Sequence, residues 1–159
     1  MRKSVLHVDA RGRARMVDVG GKGLTRRVAV ARGALSMHAR AFEALASGRL
    51  AKGDAIAVAR VAGIQAAKKT AEIVPLCHPL ALESVEVSIE LSARRREAVV
   101  TATTRITGKT GVEMEALTAV AGACLALYDM IKSIDRAAVI REIVLLEKSG
   151  GRSGTYKRF

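Results

Sequence analysis

Three groups of residues in this 159-residue chain have types and spacings that could do chemistry. The first is Leu76-Cys77-His78-Pro79, a thiol beside an imidazole on a connector that Pro75 and Pro79 keep non-helical. Imidazole is the natural proton carrier near neutral pH. Successive side chains of an extended segment point to opposite sides, so the expectation is His78 acting on a ligand rather than a Cys77–His78 nucleophile–base pair. A packed Cys and a surface His are the bland alternative. The second group is Asp129 and Lys132, three residues apart and hence on one helical face. They read either as a surface salt bridge worth a few tenths of a kcal/mol or, in a closed pocket, as an acid–base couple. Lys52, in Lys-Gly-Asp, and Lys68 carry the same ambiguity between a solvated lysine and a proton carrier.

The third group could hold phosphate. Lys22 and Arg27 flank a predicted strand. Lys148-Ser-Gly-Gly-Arg152-Ser-Gly reads either as a disordered tail or as a basic flap whose N–H groups and cations fold over phosphates. Gly108-Lys109-Thr110, between a strand and a helix, imitates a nucleotide-binding P-loop, but Thr103 stands where that motif needs glycine. Glu113 and Glu115 in the following turns would also oppose a phosphate at the helix N-terminus.

These residues are set in a basic chain, with 27 Lys+Arg against 15 Asp+Glu and a net charge of +12, which favours anionic partners. Hydrophobic residues at 50% indicate a globular domain, and the length suffices to bury a core without a metal or disulfide staple. With only Phe42, Tyr128, Tyr156 and Phe159 as aromatics, base-stacking on aromatic platforms is disfavoured. Two cysteines, Cys77 and Cys124, make neither a disulfide framework nor a zinc site. The basic N-terminus (Arg2, Lys3, Arg11, Arg13, Arg15) lacks the apolar stretch of a signal peptide, and the apolar run 119–128 is too short to span a bilayer. The expectation is a cytoplasmic, reduced protein without nucleic-acid or membrane partners.

The elements that must position these groups follow from periodicity. Residues 1–25 read as a basic arm, 26–147 as a single domain and 148–159 as the Gly-rich basic flap. Within the domain, residues 27–32 alternate as a short strand. Ser36 is expected to cap a helix to about residue 47, with Met37, Ala41 and Leu45 on one face, and Asp54 to cap a second helix to about residue 70. Residues 85–91 and 98–106 alternate as two strands of a hairpin around Arg94-Arg95-Arg96-Glu97. Thr110-Gly-Val-Glu113 fits a capping box for a helix to about residue 133 bearing Leu117, Val120, Cys124, Leu127 and Ile131. Residues 139–146 form a final strand without clean alternation, as expected if both its faces are covered. The order is an α+β, ferredoxin-like β-α-β-β-α-β arrangement with an extra helix and an antiparallel sheet with helices on one face.

The ordered blocks Met-Val-Asp-Val-Gly-Gly-Lys (16–22), Lys-Gly-Asp (52–54), Ala-Gly-Ile-Gln-Ala-Ala-Lys (62–68), Pro-Leu-Cys-His-Pro-Leu (75–80), Thr-Gly-Lys-Thr-Gly-Val-Glu-Met-Glu-Ala-Leu-Thr (107–118), Asp-Met-Ile-Lys (129–132) and Lys-Ser-Gly-Gly-Arg-Ser-Gly (148–154) carry a resemblance. Over nearly the whole chain it resembles the cyclic pyranopterin monophosphate synthases, second-step enzymes of molybdenum cofactor biosynthesis. The resemblance implies a lyase acting on (8S)-3′,8-cyclo-7,8-dihydroguanosine 5′-triphosphate, giving cyclic pyranopterin monophosphate and pyrophosphate. It implies a homohexamer, a trimer of dimers, and no cofactor, with Mg2+ at most a counterion of the triphosphate. By the same resemblance Asp129 is catalytic with Lys52 and Lys132 as acid–base partners. Leu76, Cys77, His78, Met114 and Glu115 contact the substrate, with Glu113 and Lys68 beside them, and Lys22, Arg27 and Lys148 hold phosphates. One departure stands out: Ile131 and Ser133 replace the family's usual Cys and Ala, which excludes a required thiol at 131.

Spacing adds a constraint of its own. On a straight helix Glu115 and Lys132 lie about 25 Å apart. If both ends of that helix contact one ligand, they must come from different subunits, across an isologous dimer interface. Two other readings compete with the lyase. A basic ferredoxin-like RNA-binding module accounts for the charge, but residues 98–107 contain no Phe or Tyr. A non-catalytic oligomeric scaffold would make no use of Asp129 and Lys52.

Overall fold

In a computed structural model, which describes residues 8–9 and 11–159, small side chains set the architecture. The first residues of the basic arm, Arg2 and Lys3 among them, lie outside the described residues. Strand β1 (Thr25–Ser36) pairs antiparallel with β3 (Glu97–Gly108) on one side and β4 (Val139–Ser149) on the other. β2 (Ser84–Ser92) pairs with β3, and the two-residue β5 (Tyr156–Lys157) with β4, giving the order β2-β3-β1-β4-β5. Helices α1 (Ala39–Ala46), α2 (Ala55–Lys68), a short α3 (Thr70–Ile73) and α4 (Glu113–Ile131) complete the chain. This is the α+β architecture expected from the sequence.

Alternation in β1 and β3 turns Ala29, Ala31, Leu35, Ala98, Val100 and Ala102 to one face, all fully buried. Ala116, Ala119, Val120, Ala123 and Leu127 of α4 are equally buried in the same core. Facing alanines leave little between backbones, so the helix seats close to the sheet. α2 crosses α4 at a still tighter contact, where a Cβ on Gly63 would stand 2.9 Å from the Ala119 carbonyl oxygen and 3.2 Å from the Ala123 Cβ. By length and composition α4 meets the requirement of a bilayer-crossing helix, which the run 119–128 alone does not. Here half of that window is buried within the fold, as befits a core helix.

Four local expectations are corrected. Ser36 does not cap α1. It is the last residue of β1, where its hydroxyl accepts from Arg141 Nε at 2.9 Å. α1 starts after His38, whose backbone N–H donates to the buried Asp135 carboxylate at 2.7 Å, a substitute 97 residues away. The capping box is not formed either. Val112 is the N-cap without a side-chain bond, and the entry to α4 is fixed by the buried Thr104 hydroxyl donating to the Val112 carbonyl at 2.9 Å. β4 has no fully buried residue, so its irregular pattern comes not from covered faces but from two register shifts against β1 and the positive φ of Glu142, 49°. Finally, Leu76 and Cys77 lie in a turn, with the Cys77 N–H donating to the Val74 carbonyl at 3.0 Å, rather than in an extended connector.

Other readings hold at residue level: Asp54 caps α2 by accepting from the Ala57 N–H at 2.9 Å, and residues 84–108 form the expected hairpin. Residues 148–159 run on from β4 through a turn and return as β5.

The α2–α4 crossing yields a stability test. Gly63→Ala gains up to about 1 kcal/mol of helix propensity, but its methyl meets backbone and a Cβ that cannot swing away. The expected result is a net loss of about 1–3 kcal/mol in urea unfolding. A stabilised variant would show that the crossing has slack.

Candidate active site

At the N-terminal end of α4, two adjoining cavities share Val17, Lys22, Thr110, Gly111 and Glu113. The first, about 290 Å³, is lined by Leu76, Cys77, His78, Leu80, Met114 and Glu115. The second, about 560 Å³, gathers Lys22, Arg27, Lys109 and Arg152, with Asp18 and Glu113 the only carboxylates on its wall. The two compartments thus differ in charge: the first sets Lys22 against Glu113 and Glu115 beside the apolar Leu76, Leu80 and Met114, and the second has four cationic side chains against two carboxylates.

The second cavity is built by the loop entering α4 and the turn leaving β4. The Arg27 guanidinium donates to the carbonyls of Gly108 and Lys109, both at 3.1 Å, which aims it along the β3–α4 loop. The turn after β4 then closes on it. At Gly150 (φ +91°) a side chain would overlap the Arg26 carbonyl, and at Gly151 (φ +72°) the Arg27 guanidinium, so only glycine allows this backbone to lie against both arginines. That turn delivers Arg152 and Ser153 to the cavity wall. Lys148 donates to the Ser153 hydroxyl and stands 4.0 Å from the Glu113 carboxylate, joining the turn to α4.

The segment preceding β1 lies across the cavities as a strap. His78 Nε2 is 2.8 Å from the Val17 carbonyl, and since a carbonyl can only accept, Nε2 carries the proton. Lys109 Nζ donates to the Gly20 carbonyl at 2.7 Å. Because Cys77 sits in a turn, it and His78 line the same cavity instead of opposing ones. Burial raises the Cys77 thiol, and the Glu115 carboxylate raises it further, so it is a weak nucleophile. Glu115 is itself only 4% exposed, and burial lifts its carboxyl above the ordinary range, with the charge of Glu113 adding to the effect. Cys124, deep in the core, is pushed up to about 11 by burial alone and faces no cavity described here.

Lys68 lines a separate cavity of about 120 Å³ beyond His78 and Glu115. Asp129, Lys52 and Lys132 are elsewhere altogether. At the C-terminal end of α4 the Asp129 carboxylate bridges the two lysines, accepting from Lys132 Nζ at 2.6 Å and Lys52 Nζ at 2.7 Å. Lys52 also donates to the Asp129 carbonyl at 2.8 Å. The Lys132 hydrogen bond, then that of Lys52, holds the Asp129 carboxyl down to about 2, and Asp129 in turn raises the Lys132 ammonium. All three side chains are about half exposed. At 1.5 Å per residue, Asp129 and Glu113 are about 24 Å apart along α4. The predicted site residues therefore fall into two clusters, one at each end of a single helix.

Lining residues that sequence reasoning did not assign include Val17, Asp18, Val19, Leu80, Lys109 and Thr110. Lys109 and Thr110 belong to the false P-loop, whose position between strand and helix was the available signal. Among the described residues no group of three His, Cys, Asp or Glu side chains is disposed to hold a metal ion.

The MoaC family profile matches residues 16–151. A cyclic pyranopterin monophosphate synthase of Novosphingobium aromaticivorans is 55% identical over 151 residues, 95% of each chain. One from Thermomicrobium roseum is 55% identical over 152 residues, covering 96% of this chain and 92% of its own. Cyclic pyranopterin monophosphate synthase 1 of Mycobacterium tuberculosis is 52% identical over 155 residues, 98% of this chain and 91% of its own.

Two titrations test the electrostatics. Asp129 raises Lys132, so Asp129→Asn is expected to let that ammonium lose its proton at lower pH, followed by NMR of the lysine side chains. An unmoved titration would mean that the carboxylate does not hold it. Glu115 is raised by burial, so its contribution favours the fold below the ordinary glutamate range and is lost as pH climbs through the raised value. Glu115→Gln is accordingly expected to raise the melting temperature at neutral pH, with the gain shrinking toward acid. An equal gain at every pH would contradict the assignment.

Proposed function

The chain belongs to the MoaC family, a family of enzymes serving molybdenum cofactor biosynthesis, and on that footing we propose that it converts (8S)-3′,8-cyclo-7,8-dihydroguanosine 5′-triphosphate to cyclic pyranopterin monophosphate and pyrophosphate. The observation that carries the reading is the joined pair of cavities, one with an excess of cationic side chains and one where Leu76, Leu80 and Met114 stand beside the polar His78 and Glu115. A nucleotide-derived triphosphate has the same division, anionic at one end and a flat heterocycle at the other.

In this reading Lys22, Arg27, Lys109 and Arg152 receive the phosphates, and Lys148 secures the turn that carries Arg152. A hydroxyl oxygen of the sugar-derived carbons attacks the α-phosphorus and the bond to the β-phosphoryl oxygen breaks, so negative charge grows on pyrophosphate as it departs. Preplaced guanidinium and ammonium groups stabilise that charge more in the transition state than in the ground state. The ring system lies against Leu76, Met114 and the Cys77–His78 turn. Glu115, with its raised carboxyl, offers a proton donor at that wall.

Rearranging the ring also requires protons to move on and off nitrogen and oxygen. Lys52 and Lys132 are the acid–base carriers, and Asp129 holds both ammonium groups on one carboxylate until the substrate takes its place. Since one subunit separates these lysines from its own cavities by the length of α4, the complete site takes the lysine cluster from a second subunit. Two such sites form per dimer, and dimers associate further as a trimer of dimers. No cofactor takes part; Mg2+, if present, rides on the triphosphate.

The test is anaerobic incubation with the cyclised guanosine triphosphate, following pyrophosphate. Lys52→Ala and Lys132→Ala are each expected to slow its release on the order of 100-fold or more. Mixed Glu115→Ala and Lys132→Ala proteins, under subunit exchange, are expected to regain part of the activity that each lacks alone. Rates unchanged in the lysine variants would overturn the chemistry; no recovery despite confirmed exchange would overturn the shared site.

A further inference from the structure

Resting on the reading above, in which Glu115 gives a proton to the bound ring system, we infer that the small cavity behind Glu115 is the passage through which solvent restores that proton. Glu115, His78 and Leu80 each belong to the walls of two cavities, the ligand cavity of about 290 Å³ and the rear one of about 120 Å³. They are the partition between the two. The rear cavity is otherwise walled by the end of α2, by α3 and by Pro79, with Lys68, Thr70 and Glu72 as its polar side chains. Lys68 and Glu72 are exposed, whereas Thr70 and Glu115 are only 2% and 4% exposed. The cavity thus runs from solvent at Lys68 and Glu72 to a buried floor at Thr70 and Glu115.

Its walls suit a chain of water. The volume admits several molecules, and water in such a space needs polar partners around it. The Thr70 hydroxyl donates to the Ala67 carbonyl at 2.9 Å, which leaves its oxygen able to accept from water. Lys68 and Glu72 carry opposite charges, so the mouth has no net charge to repel an arriving proton. On the ligand side Glu115 stands among Val17, Val19, Leu76 and Met114, with Lys22, Cys77, His78 and Glu113 as the titratable groups. A bound ring system displaces water from that side. His78 is no substitute relay, because its Nε2 proton is held by the Val17 carbonyl at 2.8 Å.

The proton balance of a cycle needs such a route. When the Glu115 carboxyl passes its proton to a ring nitrogen or oxygen, it becomes a carboxylate. The matching proton, taken from the substrate by a lysine, returns to solvent, so none is gained or lost overall. Glu115 must then be reprotonated before it donates again. Burial makes its carboxyl rebind a proton more readily than an exposed glutamate would, so reloading is limited by access rather than affinity. Access from the front crosses the ligand and the strap that His78 and Lys109 fasten. Access from the rear crosses neither.

Rapid-mixing measurement of pyrophosphate release from the cyclised guanosine triphosphate, after the passage has been filled, tests this. Ala71→Leu places a larger apolar side chain in the rear cavity. The double variant Lys68→Leu/Glu72→Leu closes its mouth at two exposed positions that the fold does not depend on. In both, a first turnover at the parental rate is expected, followed by a steady rate at least tenfold lower. Because only a step after the chemistry is slowed, kcat and KM fall together and kcat/KM keeps the parental value. A first turnover slowed as much as the later ones would show a damaged site instead of an interrupted supply. Later turnovers that keep pace would show reloading from the ligand side. Either result overturns the passage and leaves the lyase reading standing. No pyrophosphate from the parent protein would remove that reading, and the passage with it.

Discussion

A helix of 19 residues cannot bend its two ends together, and that rigidity governs the rest of the molecule. α4 lies on the sheet along Ala29, Ala31, Ala98 and Ala102, and α2 clamps it from the side at Gly63. Such close packing leaves the helix no freedom to curve or slide, since every shift would push a methyl group into backbone. Chemical groups at its ends therefore stay where they are, the cavities with Glu113 and Glu115 at one and the Lys52–Asp129–Lys132 bridge at the other. Reactivity in this architecture is a matter of what is carried to those ends rather than of motion between them.

The two clusters use charge in opposite ways. Arg27 and Lys109 are held by neutral partners, the carbonyls of Gly108 and Lys109 for the guanidinium and that of Gly20 for the ammonium, so their positive charge stays available to a ligand. At Asp129 the cations are instead paired with a carboxylate that is itself strongly acidified, which holds both lysines in place and raises the Lys132 ammonium. The first arrangement suits the holding of anions, the second the storage of protons.

Most of the fold is legible in sequence where structure is local. The hairpin of β2 and β3 follows from alternation at Val85, Val87, Ile89 and then Ala98, Val100, Ala102, and α2 follows from the cap at Asp54. Reading fails where a distant residue supplies what a neighbour was expected to. Asp135 replaces Ser36 at the start of α1, α4 begins without a side-chain cap while the Thr104 hydroxyl donates to the Val112 carbonyl, and bulges against β1 erase the pattern of β4. The site divides in the same way. The Leu76–His78 and Glu113–Glu115 blocks are visible as chemistry but not as neighbours. The strap that joins them depends on hydrogen bonds spanning 61 and 89 residues, His78 to Val17 and Lys109 to Gly20. No periodicity encodes such contacts.

The short pairing of Tyr156 and Lys157 with Lys148 and Glu147 has a consequence for solution behaviour. It shields part of the outer rim of β4, whose unpaired amides would otherwise invite strand addition from a neighbouring molecule. Truncation before Tyr156 would thus expose a template for fibrous aggregation, and would at the same time release the turn that presents Arg152. Folding hygiene and anion capture hang on the same last few residues.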